Sequence, residues 1–551
     1  MAVRLGLEDC RMNAQGPSSQ GLLRRWLQTF SVLGGAGLLN PSYILALAKA
    51  NKKWGPTIAA GFAASAGRRP GDVAVVDDRG SLTFGELHQR SNAIANGLAA
   101  AGIRAGQGVG IFCRNHRAFV EATVAVAKIG ADALFLNTGF AGPQLGDVLD
   151  REEAVAVIHD EEFTPVVEAG AGSRQVFRAR HEKAAGAPSL DELIARHSAA
   201  EPAPPAKPGR STLLTSGTTG TPKGARRETR STDLETLVGV LAVMPYEVGQ
   251  TIVIAAPTFH AWGLAQLTIA GMLSSKIVLR RRFDPEGTLA AVAAERARAL
   301  ALVPVMMQRI LALPADAIRR HDTSCLRLVG ASGSALPGEL AIRWMNTFGD
   351  NLYNFYGSTE VAQASIAGPA DLRAAPGTAG RVPRGAVVKI LDENGREMPT
   401  GKVGRIFVAN QVQFEGYTGG GGKEIVGGMM SSGDVGYFDD HGRLFVVGRD
   451  DDMIISGGEN VFPKEVEDLL ADHEAVDDVA VIGVPDEEFG QRLKAFVVRQ
   501  PGSSVTENDL KEYVRQRLAR YKIPRSIELL DEIPRNPTGK VLKRVLRERS
   551  G

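Results

Sequence analysis

Thr212-Leu213-Leu214-Thr215-Ser216-Gly217-Thr218-Thr219-Gly220-Thr221-Pro222-Lys223-Gly224 is the stretch on which the reading of this chain turns. The apolar run reads as a short strand. It feeds a loop of glycines and hydroxyl side chains that closes on a lysine. Glycines let backbone N–H groups approach an anion, the hydroxyls add donors, and Lys223 adds a point charge. That combination reads as a phosphate cradle rather than a surface linker. The usual P-loop needs Gly directly before the lysine and Ser or Thr directly after it. Here Pro222 precedes and Gly224 follows, so the usual P-loop is excluded.

Working outward, strands alternate with helices. Val73–Val76 and Gly80–Phe84 read as a hairpin, and Thr83 with Glu86 forms a capping box that starts a helix. Strands at Val109–Phe112, Ala133–Leu136 and Ala154–Ile158 surround a helix from Ala118 to Ile129. This pattern predicts mainly parallel sheets covered by helices. Ala199–Arg210 is a Pro/Ala-rich stiff connector that leads into the loop. Beyond the loop come a helix over Ser231–Val243 and strands at Thr251–Ala256, Lys276–Leu279, Ala299–Pro304 and Leu326–Val329. From Gly385 short strands and turns predict a β-rich subdomain. The C-terminal hundred or so residues read as a small α+β domain with a helix over Glu507–Leu518, and the basic run Lys543–Arg549 as a solvated helix end.

The totals fit this picture. A chain of 551 residues is too long for one core. Its 44% hydrophobic and 23% charged content is that of a globular protein, and a net charge of +2 gives no case for nucleic acid. Its three cysteines, Cys10, Cys113 and Cys325, suggest neither disulfides nor zinc and fit a reducing, cytoplasmic compartment.

Thr215–Gly224 resembles the phosphate loop of the adenylate-forming superfamily, which includes acyl-CoA synthetases, firefly-type luciferases and peptide-synthetase adenylation domains. Tyr356-Gly357-Ser358-Thr359-Glu360, Ser432-Gly433-Asp434, Gly448-Arg449 followed by Asp450-Asp451-Asp452, and Pro534–Lys540 resemble its further motifs. Within the superfamily the chain resembles a bacterial fatty acyl-CoA synthetase most. The resemblance implies a large adenylation domain over 56–449 and a small mobile lid over 450–551, after an extension over 1–55. It implies that ATP, Mg²⁺, coenzyme A and a fatty acid are bound, and that acyl-AMP and pyrophosphate form before acyl-CoA and AMP.

The roles it implies are specific. Thr215, Ser216, Gly217, Thr218, Thr219, Gly220 and Lys223 hold phosphates. His260 flanks the acyl carboxylate, and Trp262 is a gate at the acyl tunnel. Gly333 belongs to the adenine-pocket loop, Tyr356 stacks on the purine beside Gly357, Thr359 donates to a phosphate, and Glu360 holds Mg²⁺. Asp434 and Arg449 hold the ribose. Asp451 is the pivot, Gly457 and Gly458 line the pantetheine tunnel, and Lys540 is the adenylating lysine. The chain departs from the family at Gly419–Gly422, read as a mobile loop, and at Gly427-Gly428-Met429-Met430 where relatives carry Asp-Gly-Trp.

Other readings stay open: an acyl-AMP ligase loading a carrier protein, an aryl or short-chain acid ligase, and a non-catalytic nucleotide- or lipid-binding homologue. So does a homodimer. Residues 1–53 allow two helices packed on the protein and broken at Gly34–Gly37 and Asn40-Pro41, peripheral contact with a membrane surface, or a cleaved export signal.

Overall fold

The computed structural model describes residues 19–180, 186–215, 223–227, 234–410, 416–418, 422–456, 459–486, 490–536 and 539–550. An eight-stranded sheet runs in the order Ser365–Ala367, Leu352–Tyr356, Leu328–Ala331, Ala299–Leu302, Thr251–Ile254, Lys276–Leu279, Val73–Asp77, Gly80–Thr83. Its inner pairings are parallel, and only the two edge strands run antiparallel. Parallel strands share one C-terminal edge, so the loops after Ile254, Leu302, Ala331 and Tyr356 emerge side by side.

A six-stranded sheet has the order Gln175–Arg180, Ala154–Asp160, Gly108–Phe112, Asp132–Phe135, Ser211–Thr215, Lys223–Arg227. One continuous core joins the two sheets through helices Phe84–Ala100 and Arg117–Lys128. The first of these helices starts with the expected capping box: the Glu86 N–H donates to Thr83 Oγ1 at 3.1 Å and the Thr83 N–H to Glu86 Oε2 at 2.8 Å. The last strand was not anticipated. Lys223–Arg227 pairs antiparallel with Ser211–Thr215, in register Thr215 opposite Lys223. Residues 216–222, the glycine-rich stretch between these two paired strands, lie outside the described residues.

The β-rich part is an antiparallel five-stranded sheet that includes Ala386–Leu391, Gly404–Asn410, Met429–Phe438 and Leu444–Arg449. Its core includes Ala225, Val361 and Ala364, so it packs against the ends of both parallel sheets. The small C-terminal domain has its own sheet and core around Val466, Val481, Val497 and Val514.

The basic C-terminal run is more than a solvated helix end. Its helix, Lys543–Ser550, buries Leu546 against Ala480, Ile482 and Phe496, which contributes roughly 1.5–3 kcal/mol. Lys543 Nζ and Arg547 Nη2 lie 3.2 and 3.4 Å from the Asp452 carboxylate. Asp450 instead pairs at 3.2 Å with Arg405 of the β-rich sheet. The acidic triplet is thus shared out, one flanking carboxylate held by each body.

At the other end, Ser19–Gly35 and Pro41–Trp54 are two helices, broken where Gly and Asn-Pro predicted. Asn40 Oδ1 accepts the Ser42 N–H at 3.0 Å to start the second. No helix among the described residues is long and apolar enough to cross a membrane.

Candidate active site

The loop after strand Thr251–Ile254 ends at His260, the residue capping helix Ala261–Met272. Its ring lies against Phe259, 4.5 Å between centroids. Its Nε2 is buried with no hydrogen-bond partner among the described residues. Burial alone pushes the imidazole down to about 4 from its ordinary 6.5. At neutral pH the ring is therefore uncharged, with a vacant polar atom that suits a carboxylic acid substrate without adding a fixed charge.

A stability prediction follows from that shift. Between pH 6.5 and 4 the unfolded imidazole takes up a proton that the folded one refuses, so folding is penalised as pH falls. The full stability is present above 6.5, and up to about 3 kcal/mol is lost by the time pH reaches 4. His260→Phe should flatten this limb in urea melts run from pH 7 to 4. The flattening is partial, because burial and the Lys128 charge also hold His88 down at about 4.

Two residues further on, Trp262 is 8% exposed. Its Nε1–H donates to the Leu302 carbonyl at 3.1 Å, and its ring centroid is 5.3 Å from that of Phe355. A Cβ on Gly330 would come within 2.7 Å of the indole. Only glycine in strand Leu328–Ala331 leaves room for that ring. Gly333 lies just beyond this strand, at φ +93°.

Tyr356 ends the next parallel strand. Its hydroxyl donates to Asp434 Oδ2 at 2.6 Å and lies 3.4 Å from Ser432 Oγ. Asp434 and Arg449 face each other across antiparallel strands, with Arg449 Nη1 3.6 Å from Asp434 Oδ1. Burial raises the Asp434 pKa. The positive charges of Arg449, Lys540 and Lys423 and the Tyr356 hydrogen bond pull the other way. Burial, and then the Asp434 charge, push Tyr356 well above its ordinary value, so its phenol stays protonated and donating. Tyr356, Asp434, Arg449 and Lys540 thus belong to one electrostatic neighbourhood.

Gly357, Thr359 and Glu360 follow directly. The Glu360 N–H donates to Ser358 Oγ at 3.2 Å, and Tyr417 O–H donates to Glu360 Oε1 at 2.6 Å. Tyr417 was overlooked in the sequence, although it stands between Gly416 and Thr418 beside the anomalous glycine run. Ala225 bridges to Tyr417, and the Thr418 N–H donates to the Gly224 carbonyl at 2.9 Å. This segment ties the returning strand of the phosphate hairpin to the carboxylate of Glu360. One oxygen of Glu360 is held by a phenol, and the other has no hydrogen bond among the described residues. Magnesium takes one or two carboxylates and otherwise phosphate and water oxygens, so this donor set fits it. Tyr417→Phe should weaken Mg²⁺ use by about tenfold, read as the metal concentration for half-maximal activity, because a Glu360 carboxylate holding the metal would lose its orienting partner.

Lys540 is on the small domain. Its N–H donates to Asn536 Oδ1 at 2.9 Å, and Arg535 anchors the turn through Asp478 at 2.6 Å. Gly539, at φ +80°, lies so close to Val305 that a Cβ there would meet Cγ1 at 2.5 Å. The lysine turn is therefore seated on the large domain. A crevice of about 550 Å³ opens at this seam. Pro257, Phe259 and Met306 line one side, Arg535 and Asn536 the other, and Arg280, Arg281 and Arg309 add positive charge.

Other expected residues fall elsewhere. Ser216, Gly217, Thr218, Thr219, Gly220, Gly457, Gly458 and the 419–421 glycine run lie outside the described residues. Thr215 and Lys223 face each other in the hairpin backbone. Strands Ile454–Ser456 and Glu459–Val461 flank the 457–458 pair as a hairpin. Asp451 sits between the two anchored acids.

Comparison with known proteins agrees with this geometry. Residues 62–418 match the family model described as AMP-binding enzyme, and residues 465–540 that of the AMP-binding enzyme C-terminal domain. The chain is 35% identical over 492 residues to a feruloyl-CoA synthase of Amycolatopsis sp, covering 88% of this chain and 96% of that one. It is 31% identical to the fatty acid–[acyl-carrier-protein] ligase ScoC of Streptomyces coeruleorubidus, over 87% of this chain and 94% of that one. Among solved structures, the anthranilate CoA ligase AuaEII in complex with anthranoyl-AMP superposes with a TM-score of 0.81 at 26% identity, over 90% and 97% of the two chains. With these matches across both domains, the chain belongs to the AMP-binding enzyme family.

Proposed function

We propose that the protein activates a carboxylic acid with ATP as acyl-AMP and then transfers the acyl group to coenzyme A. The observation that carries this reading is the seating of the Lys540 turn on the large domain, at a crevice that Phe259 also lines, with the lysine's charge acting on Asp434. Two anions must meet for the first step, so the site has to offset their repulsion. In this reading Asp434 accepts the ribose hydroxyls and Tyr356 walls the purine. Lys223 and the hairpin amides take the outer phosphates. Lys540 steadies charge at the α-phosphate as the carboxylate attacks and pyrophosphate leaves. Mg²⁺ on Glu360 would supply further charge neutralisation. His260, neutral, holds the carboxylate without competing for its charge.

For the second step the small domain turns at Asp451, which withdraws Lys540 and brings in Gly457 and Gly458. Coenzyme A attacks the acyl carbonyl through its thiolate, and AMP leaves. In this reading the junction between a large domain over 56–449 and a small one over 450–551 falls at that pivot.

For the acid, we favour a compact aromatic one. The support is the likeness to the feruloyl-CoA synthase, with Trp262, fixed by its hydrogen bond, its fit to Gly330 and its Phe355 contact, as the ring we assign to the acid. An indole held in this way suits stacking against a ring. A fatty acid is the second reading, favoured by the likeness to the fatty acid–carrier-protein ligase. Pyrophosphate release with aryl and fatty acids, with and without CoA, tests both. Fastest turnover with cinnamate-like acids and CoA is the expected result. Turnover with fatty acids alone would replace the first reading by the second, acyl-AMP accumulating despite CoA would point to a carrier-protein acceptor, and no pyrophosphate with any acid would end the enzymatic account.

A further inference from the structure

The family match begins at residue 62, and the two helices before it play no part in the site. They are held firmly by one face. Arg384 Nη1 donates to Thr29 Oγ1 at 2.8 Å, the Val248 N–H to the Ala36 carbonyl at 3.0 Å, and Tyr43 O–H to the Met272 carbonyl. Trp54 is buried beneath the second helix. The opposite faces carry large apolar side chains in water: Leu45 is 73% exposed, Leu27 60%, Phe30 53% and Ile44 52%. Exposed leucines occur singly on most proteins, but here two consecutive helices carry a pair each of large exposed apolar side chains.

Charge on the same segment has one sign. From Ser19 to Trp54 there is no aspartate or glutamate, while Arg24, Arg25, Lys49, Lys52 and Lys53 are basic. Lys53 is paired with Glu201. Lys49 and Lys52 are exposed, one turn and two turns beyond Leu45, with no ion-pair partner among the described residues. The outward face of Pro41–Trp54 therefore runs from apolar Ile44 and Leu45 to cationic Lys49 and Lys52. Such a helix lies flat in a bilayer interface, its apolar end among acyl chains and its lysines reaching anionic headgroups.

We infer that these two helices dock the protein on an anionic lipid surface. The alternative occupant, a second copy of this chain, would place the same like-charged lysines near one another, which repels. Nothing in this inference depends on which acid the active site takes.

Flotation of the full chain with vesicles of phosphatidylcholine alone, or of phosphatidylcholine with phosphatidylglycerol, is the test. The wild-type protein should float with the anionic vesicles, stay behind with the neutral ones, and come off as salt is raised. The double variant K49E/K52E alters exposed side chains only, so it should fold and retain activity, yet bind at least about tenfold more weakly. Leu45→Ser with Phe30→Ser keeps the lysines but should also lose binding to the anionic vesicles. Equal flotation of all three proteins, no flotation of the wild type, or a wild-type dimer in light scattering that Leu45→Ser dissolves would each overturn the inference.

Discussion

Lys540→Ala is expected to lower acyl-AMP formation by about 10²–10³-fold, the usual cost of removing one preorganised charge from a transition state. Supplied acyl-AMP should still pass its acyl group to CoA within a few-fold of the wild-type rate. The asymmetry arises from where the lysine sits. It is exposed on a turn of the small domain, close enough for its charge to act on Asp434, and the turn rests on Val305 through Gly539. A group carried in by one arrangement of two bodies serves only the step run in that arrangement. Truncation of an exposed side chain leaves the fold intact, so the two half-reactions can be compared directly by pyrophosphate exchange and by thioester formation. Equal loss of both would mean that Lys540 supports the site in general and that the two steps are not divided by domain position.

Asp434→Asn should raise KM for ATP by roughly 30–100-fold with little change in kcat, since a charged hydrogen-bond acceptor contributes about 2–3 kcal/mol when fully used. Asparagine preserves the shape and still accepts from Tyr356 O–H, which in the wild type donates at 2.6 Å. It removes the negative charge opposite Arg449 and one acceptor for a ribose diol. The variant should also discriminate less against dideoxy-ATP than the wild type does. An unchanged KM in the folded variant would assign Asp434 to holding Tyr356 and Arg449 alone.

Much of this was legible in the residues themselves. Alternation of apolar runs and amphipathic stretches announced the parallel sheets, and Thr83 with Glu86 announced a helix start, because both are local and periodic signals. Tyr356, Glu360 and Asp434 could be chosen because each stands in a compact motif at a strand end. Tyr417 could not, since its partner Glu360 is 57 residues away and nothing local demands the contact. The return strand Lys223–Arg227 escaped for a related reason: it is rich in charge, and its pairing with Ser211–Thr215 supplies what its composition lacks. Leu546 was masked by the basic residues around it, although one apolar side chain in a charged helix is enough to anchor it. The second ion pairs of Asp452 likewise depend on tertiary neighbours from the far end of the chain.

The divided acidic triplet has a mechanical consequence. With Asp450 clasped by Arg405 and Asp452 by Lys543 and Arg547, slack is confined to a single link between two clamps. In the proposed swing at Asp451 the small domain would then turn as a door on one pin rather than as a weight on a cord. In the proposed swing, the contact to be released first is that of Gly539 with Val305. Loosening either clamp would lengthen the cord and let the door swing wide of both stops.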